Sequence, residues 1–129
     1  MPRFVIHEHH ATHLHYDLRL EKGGVLKCFA IPKGISTEKG KKRLAIQTED
    51  HELFWLNFEG TIKEGYGKGI MKIYDKGQYG IKKWEDDKII INFYGDKIRG
   101  EYVLVKLKSS KDKFYNKVNK KNEWIIYKL

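Results

Sequence analysis

The chain has 129 residues, a length that suits one domain spanning 1–129 and leaves too little for two separate cores. Hydrophobic residues make up 40%, enough for a compact interior, yet no stretch approaches the roughly 18 apolar residues of a membrane span. A formal net charge of +9, from 26 Lys+Arg against 17 Asp+Glu, favours a polyanionic partner, because phosphate neutralisation releases counterions. The N-terminal MPRFVIHEHH lacks the charged-then-apolar pattern of a signal peptide, so a cytoplasmic protein is expected. The single cysteine, Cys28, excludes an internal disulfide; within LKCFAI it reads as a buried strand residue.

In chain order, short runs rich in β-branched and aromatic residues predict strands. They cover Phe4–Glu8, Leu14–Glu21, Val25–Ile31, Arg43–Thr48, Gly69–Tyr74, Tyr79–Trp84, Lys88–Tyr94, Glu101–Leu107 and Trp124–Tyr127. Turn signals separate several of them: Lys22-Gly23-Gly24, Asp75-Lys76-Gly77, Glu85-Asp86-Asp87 and Gly95-Asp96. This spacing predicts a mainly all-β fold, a compact antiparallel β-barrel with at most short helices, one of them around Ser109–Asn119. The glycines of GTIKEGYGKG (60–69) lack the Gly-Lys-Ser/Thr ending of a phosphate-binding P-loop and are read as a tight loop at a barrel rim. The lysines at 106, 108, 111, 113, 117, 120 and 121, with Phe114 and Tyr115 among them, form the most basic stretch and suit either a nucleic-acid backbone or solvent.

The chemically informative segment is HEHHATHLHYDLRLE, residues 7–21, which holds five of the six histidines. On a strand, side chains alternate faces. Leu14, Tyr16, Leu18 and Leu20 then form one row, and His15, Asp17, Arg19 and Glu21 the other. Imidazoles with a carboxylate suit a divalent transition metal with open coordination positions. Arg19 cannot ligate a metal, but its planar fork of donors suits a pair of phosphate oxygens. A metal beside an arginine is a combination suited to phosphoryl chemistry. His51, Lys33 and Arg43 join this set only if the fold brings them to the His15 face.

The run His9-x5-His15-Tyr16-Asp17-x-Arg19-Leu20-Glu21 resembles the signature of the 3′-phosphoesterase domain family of bacterial-type DNA ligase D. Further matching segments follow in the family's order: Ile31-Pro32-Lys33-Gly34, Lys42-Arg43-Leu44-Ala45, Glu49-Asp50-His51 and Phe58-Glu59-Gly60-Thr61-Ile62. The closing Trp124-Ile125-Ile126-Tyr127-Lys128 is similar to the family's last strand. The resemblance implies a β-barrel with a manganese-dependent site that trims a 3′-terminal ribonucleotide and then removes the 3′-phosphate, leaving a 3′-hydroxyl. It implies His9, His15 and Asp17 as metal ligands, and Arg19 and His51 as the grip on the scissile phosphate. Lys33 and Arg43 would support that grip, and Glu49 would order the site. The implied partners are DNA or RNA/DNA primer-template 3′-ends, together with a separate ligase and polymerase of end joining; the chain is expected to be a stand-alone version. His7, His10 and His13 fall outside the family's ligand positions, the spacing of six to His15 selecting His9.

Two departures concern the substrate rim. Trp55 stands where the family usually has a tyrosine, four residues after the histidine matched by His51, and the Gly-rich loop is one residue shorter. Trp55 is expected either to contact the terminal nucleoside or to pack the rim beneath the Phe58 turn. Two other readings compete. A cupin-type metal enzyme would use His13-Leu14-His15, but the acidic residue falls at Glu21, six positions on, rather than four or five. A non-catalytic single-strand-binding barrel fits the charge and the 13% aromatic content, and leaves the His9, His15, Asp17 and Arg19 pattern unexplained.

Overall fold

The computed structural model describes residues 1–65, 67–107 and 122–129. The predicted helix at 109–119 and all of the basic stretch except Lys106 and Leu107 lie outside the described residues. The strands are β1 (Arg3–His10), β2 (Leu14–Lys22), β3 (Val25–Ile31), β4 (Arg43–Gln47), β5 (Gly60–Ile62), β6 (Gly69–Trp84), β7 (Lys88–Tyr94), β8 (Arg99–Lys106) and β9 (Glu123–Lys128). They form one antiparallel sheet in the order β1-β2-β3-β4-β9-β8-β7-β6-β5, and a β1–β6 pairing closes eight of them into a barrel. Among the described residues the helical content is a single 3-10 segment, Leu53–Asn57, and no helix is long and apolar enough to cross a membrane.

Side-chain alternation sorts β1, β2 and β3 into two apolar faces. Phe4 and Ile6 from β1, Leu18 and Leu20 from β2, and Phe29 and Ile31 from β3 point into the barrel, where residues from β4 and β6–β9 complete the core. The opposite face carries a second, smaller cluster of Val5, Leu26, Cys28 and Leu56, with Leu53, Trp55 and Ile73 packed against it. The segment containing the 3-10 turn and β5 thus covers the outside of this wall. Consequently the middle of the predicted polar row of β2 is buried, with Asp17 8% and Arg19 2% exposed, while His15 and Glu21 at its ends are partly exposed.

The predicted turn at Asp75-Lys76-Gly77 is absent, and β6 runs unbroken through it. Residues 70–78 of β6 pair with β1 and residues 78–84 with β7, so the strand changes partners rather than direction. The register shift between Ile6 and His7, which leaves Tyr74 as the extra residue, marks a bulge that bends the strand around the barrel. Gly77 serves close approach instead of a turn, since a Cβ there would lie 2.5 Å from the Tyr94 carbonyl oxygen. The Asp75 carboxylate turns away from its own backbone and accepts N–H bonds from Asp96 (3.0 Å), Lys97 (3.0 Å) and Ile98 (2.8 Å). It thereby organises the β7–β8 loop.

Removing that carboxylate orphans three backbone donors around a site only 5% exposed. Asp75→Ala is expected to lower unfolding free energy by about 2–4 kcal/mol, with Asp75→Asn intermediate. Urea denaturation of the three proteins checks this, and equal midpoints would show that the loop does not depend on Asp75.

Candidate metal centre and phosphate grip

The β1–β2 register places His9 opposite His15 and His7 opposite Asp17, while β2–β3 places Arg19 opposite Cys28. Because these positions share the outer face, the ionisable groups converge there. His9 Nδ1 lies 3.1 Å from His15 Nε2 and 3.0 Å from Asp17 Oδ2, and His15 Nε2 lies 3.2 Å from Asp17 Oδ1. These three donor-atom positions all fall within 4.8 Å of one another.

The far ring nitrogens settle the tautomers. His9 Nε2 faces the carbonyl oxygens of Gly67 (3.0 Å) and Lys68 (3.1 Å), which only accept, so it carries the proton. His15 Nδ1 likewise faces the His13 carbonyl at 3.2 Å. In their neutral form the rings therefore present bare nitrogens to each other and to a carboxylate, whereas a proton added to either nitrogen is donated to Asp17. Three lone-pair groups converging on one point fit a divalent cation, and the backbone carbonyls supply the outer hydrogen bonds that orient such ligands.

The glycine loop has its purpose here. Gly67, at φ +80°, carries one of the carbonyls that fix His9, and a Cβ on Gly69 would lie 2.2 Å from the His10 carbonyl oxygen. The loop expected at a barrel rim is thus also a clamp on His9.

Electrostatics agree with this geometry. Burial works to raise the Asp17 carboxyl, but hydrogen bonds from His15 and His9 and the charge of Arg19 overcome it and hold it well below the carboxylate range. The hydrogen bond to Asp17 draws the His15 imidazole above its usual value, against partial burial. A proton held between His15 and Asp17 and a cation compete for the same nitrogen.

Arg19 is held from several sides. Its Nε donates to His7 Nδ1 (3.1 Å), Nη1 to Cys28 Sγ (3.3 Å), and Nη2 approaches Asp17 Oδ2 at 3.4 Å and Met71 Sδ at 3.9 Å. The guanidinium carbon sits 5.7 Å from the Trp55 ring centroid. Sulfurs are weak acceptors, so the Nη groups retain donor capacity towards a cavity of about 220 Å³ lined by His9, His15, Asp17, Arg19, Ala30, Thr48, Gly67 and Met71.

His51 comes close to this group. Paired backbone hydrogen bonds with Leu26 (2.8 and 3.0 Å) fasten it beside β3. Its Nδ1 donates to the Glu49 carbonyl at 2.8 Å and lies 3.4 Å from Cys28 Sγ, the sulfur that also touches Arg19. Trp55 is half-buried, stacks edge-on with His51 at 6.0 Å between ring centroids, and packs against the outer apolar cluster. Lys33 and Arg43 meet each other instead: the Arg43 guanidinium donates to the Lys33 carbonyl, and Lys33 borders a separate hollow of about 80 Å³ with Tyr16 and Tyr74. The Glu49 side chain is exposed on a neighbouring groove that shares Thr48 with the central cavity. His10 pairs with Glu8 at 2.6 Å and His13 is exposed, so neither joins the cluster.

Sequence reasoning missed His7, which is fully buried. Burial pushes its imidazole down to about 4, against a hydrogen bond to the Phe58 carbonyl. The signal was available, since His7 shares the β1 face of Val5 and His9. Reading Cys28 as an inert buried thiol agrees with the structure, where burial raises its pKa.

Residues 7–106 match the family described as the DNA ligase D 3′-phosphoesterase domain. The chain belongs to the DNA ligase D 3′-phosphoesterase domain family. It is 45% identical over 118 residues to a multifunctional non-homologous end joining protein LigD of Mycolicibacterium smegmatis, covering 82% of this chain and 16% of that protein. The corresponding protein of Mycobacterium tuberculosis is 41% identical over 128 residues, covering 95% of the chain and 17% of the relative. That of Pseudomonas aeruginosa is 34% identical over 135 residues, covering 98% and 15%. The chain thus spans about a sixth of the length of these relatives.

The titrations of His15 and Asp17 give opposite signs with pH. His15, raised in the folded state, stabilises the metal-free protein fully below its unfolded value of about 6.5 and loses that contribution as pH rises through the folded value. Asp17, depressed, contributes above about 3.9 and loses its effect as pH falls through the folded value. A metal needs His15 deprotonated, so the gain in melting temperature from added Mn²⁺ is expected to be larger at pH 8 than at pH 6. Thermal melts with and without Mn²⁺ measure this, and an equal gain at both values would remove His15 from the ligand set.

Proposed function

We propose that this domain is a metal-dependent 3′-end-healing phosphoesterase. It removes a 3′-terminal ribonucleotide and then the 3′-phosphate from nucleic-acid primer ends, leaving a 3′-hydroxyl for repair by end joining. The observation that carries this reading is the convergence of the bare nitrogens of His9 and His15 with Asp17, beside an Arg19 guanidinium whose Nη donors face the same cavity.

In this reading His9, His15 and Asp17 hold the cation, with Mn²⁺ preferred because two of three protein ligands are imidazoles, whereas Mg²⁺ favours oxygen. When bound, the cation supplies Lewis-acid polarisation of a phosphoryl oxygen and lowers the pKa of coordinated water. The residues do the rest. Arg19 donates to the non-bridging phosphate oxygens and offsets charge developing on them. His51, fastened to Leu26 and oriented by the Glu49 carbonyl, completes the grip. Lys33 and Arg43, joined to each other by the hydrogen bond from Arg43 to the Lys33 carbonyl, take the supporting role that the family pattern implies for them. Trp55 offers an aromatic face beside Arg19 to the terminal nucleoside. The net charge of +9 favours nucleic-acid ends as substrate, with separate ligase and polymerase functions acting on the healed end.

The deciding assay follows inorganic phosphate released from a primer-template bearing a 3′-phosphate. Release is expected with Mn²⁺, weaker with Mg²⁺ and absent in excess chelator, and Asp17→Asn should abolish it while the circular-dichroism spectrum stays native. Tight primer binding with no phosphate release under any metal would instead establish the non-catalytic barrel. Trp55→Ala is expected to slow turnover or weaken binding roughly tenfold, the scale of one lost base–aromatic stack. Metal affinity should stay unchanged, and Trp55→Tyr should retain much of the activity. A Trp55→Ala protein that melts far lower yet keeps wild-type kinetics in the cold would place Trp55 in packing alone.

A further inference from the structure

His7 lies two residues from a proposed metal ligand but points at the arginine. It is fully buried on the outer face of β1, directly across from Asp17. Arginine cannot accept a hydrogen bond, so the 3.1 Å contact from Arg19 Nε requires a bare Nδ1 on His7. The ring proton then sits on Nε2, which donates to the Phe58 carbonyl at 2.8 Å. Phe58 belongs to the outer cover, immediately after the 3-10 turn that presents Trp55. A single imidazole therefore links the backbone of the cover to the Nε of the Arg19 guanidinium.

Arg19 has several soft partners and few firm ones. Its Nη groups contact two sulfurs and a carboxylate oxygen at 3.4 Å, and the Trp55 ring lies over its carbon. Sulfur contacts and a ring face leave the guanidinium plane free to rotate, whereas a hydrogen bond through Nε fixes that plane. A fixed plane aims both Nη groups together, which bidentate phosphate recognition requires.

We infer that His7 is a positioning residue for Arg19: it locks the guanidinium plane so that both Nη groups address one phosphate, and it couples that aim to the seating of the Phe58 segment. This rests on the phosphoesterase reading for its kinetic readout, but not for its spectroscopic one. Glutamine is the informative replacement, because its amide oxygen and nitrogen are spaced much like the two ring nitrogens. The oxygen would accept from Arg19 Nε, and the amide N–H would donate to Phe58. Leucine fills the volume and offers neither.

The test compares wild type, His7→Gln and His7→Leu in 3′-phosphate release, with Mn²⁺ affinity and melting temperature measured on the same samples. His7→Leu is expected to lose roughly tenfold or more in kcat/KM at saturating Mn²⁺, with Mn²⁺ affinity unchanged, and His7→Gln to recover most of that loss. Alongside, long-range ¹H–¹⁵N spectra of the wild-type imidazoles are expected to show His7 protonated on Nε2, and an Arg19 Hε protected from exchange that becomes exposed in His7→Leu. Inactive wild type with these spectra intact would overturn the phosphoesterase reading alone. Active wild type with His7→Leu equally active, or His7→Gln as impaired as His7→Leu at equal melting temperature, would overturn the role of His7. If His7→Leu melts below the assay temperature, His7→Gln and the wild-type spectrum decide: a proton on Nδ1 overturns the inference.

Discussion

The site depends on one register, the pairing that sets His9 across from His15. Strand side chains alternate, so a slip of one residue between β1 and β2 would exchange the faces of every group on the slipped strand. Such slippage is blocked because both faces of this wall are buried. Phe4, Ile6, Leu18 and Leu20 are committed to the barrel interior, and Val5 is committed to the cluster beneath the 3-10 turn. The fold thus uses two hydrophobic layers to define the position of a polar row between strands. Ordinary apolar packing sets the distances on which the ligand geometry depends.

The covering layer changes the chemistry of what it buries. In water, His15 and Asp17 would be independent, screened groups; partly or wholly buried on this face, their hydrogen bond raises the imidazole and lowers the carboxyl, with the charge of Arg19 also lowering the carboxyl. Among the described residues, no buried side-chain nitrogen or oxygen lacks a hydrogen-bond partner. The outward ring nitrogens of His7 and His9 are held by fixed backbone atoms, the carbonyls of Phe58, Gly67 and Lys68. Fixed dipoles of this kind need little rearrangement when a ligand's charge arrives, the physical basis of preorganised catalysis.

Much of this was legible in the residues. Period-two alternation in β2 separated Leu14, Tyr16, Leu18 and Leu20 from His15, Asp17, Arg19 and Glu21, and the barrel follows from regularly spaced short strands. Alternation does not reveal what covers the second face, because the covering 3-10 turn and the three-residue β5 are too short to leave a periodic signature. The same local reading failed at Asp75-Lys76-Gly77. Turn chemistry and close-approach chemistry select the same residues, and only the neighbouring strand tells them apart. Selecting His9 over His10 came from family spacing; the structure gives its physical counterpart, since His10 belongs to the opposite face and binds Glu8. Lys33 and Arg43 illustrate the converse. Their position in the motif order suggests a place beside the proposed ligands, but the chain path turns Arg43 onto the Lys33 carbonyl and sets Lys33 at a separate hollow.

The closure of the barrel has a consequence for how the site comes into existence. His9 belongs to the first strand, whereas the carbonyls that orient it come from residues 67 and 68, just ahead of the strand that pairs with β1. Bringing these together requires the loop-closure entropy of a long stretch of chain. The β1–β2 hairpin carries His9, His15 and Asp17 but lacks the carbonyls that orient His9, so the oriented cluster is a property of the closed ring of strands. A cation that recognises it favours the closed ring over every open form, and its binding free energy enters the cooperativity of the whole domain. Local fraying at β1–β6 would release the orientation of His9 while the β7–β8–β9 side of the barrel still stood.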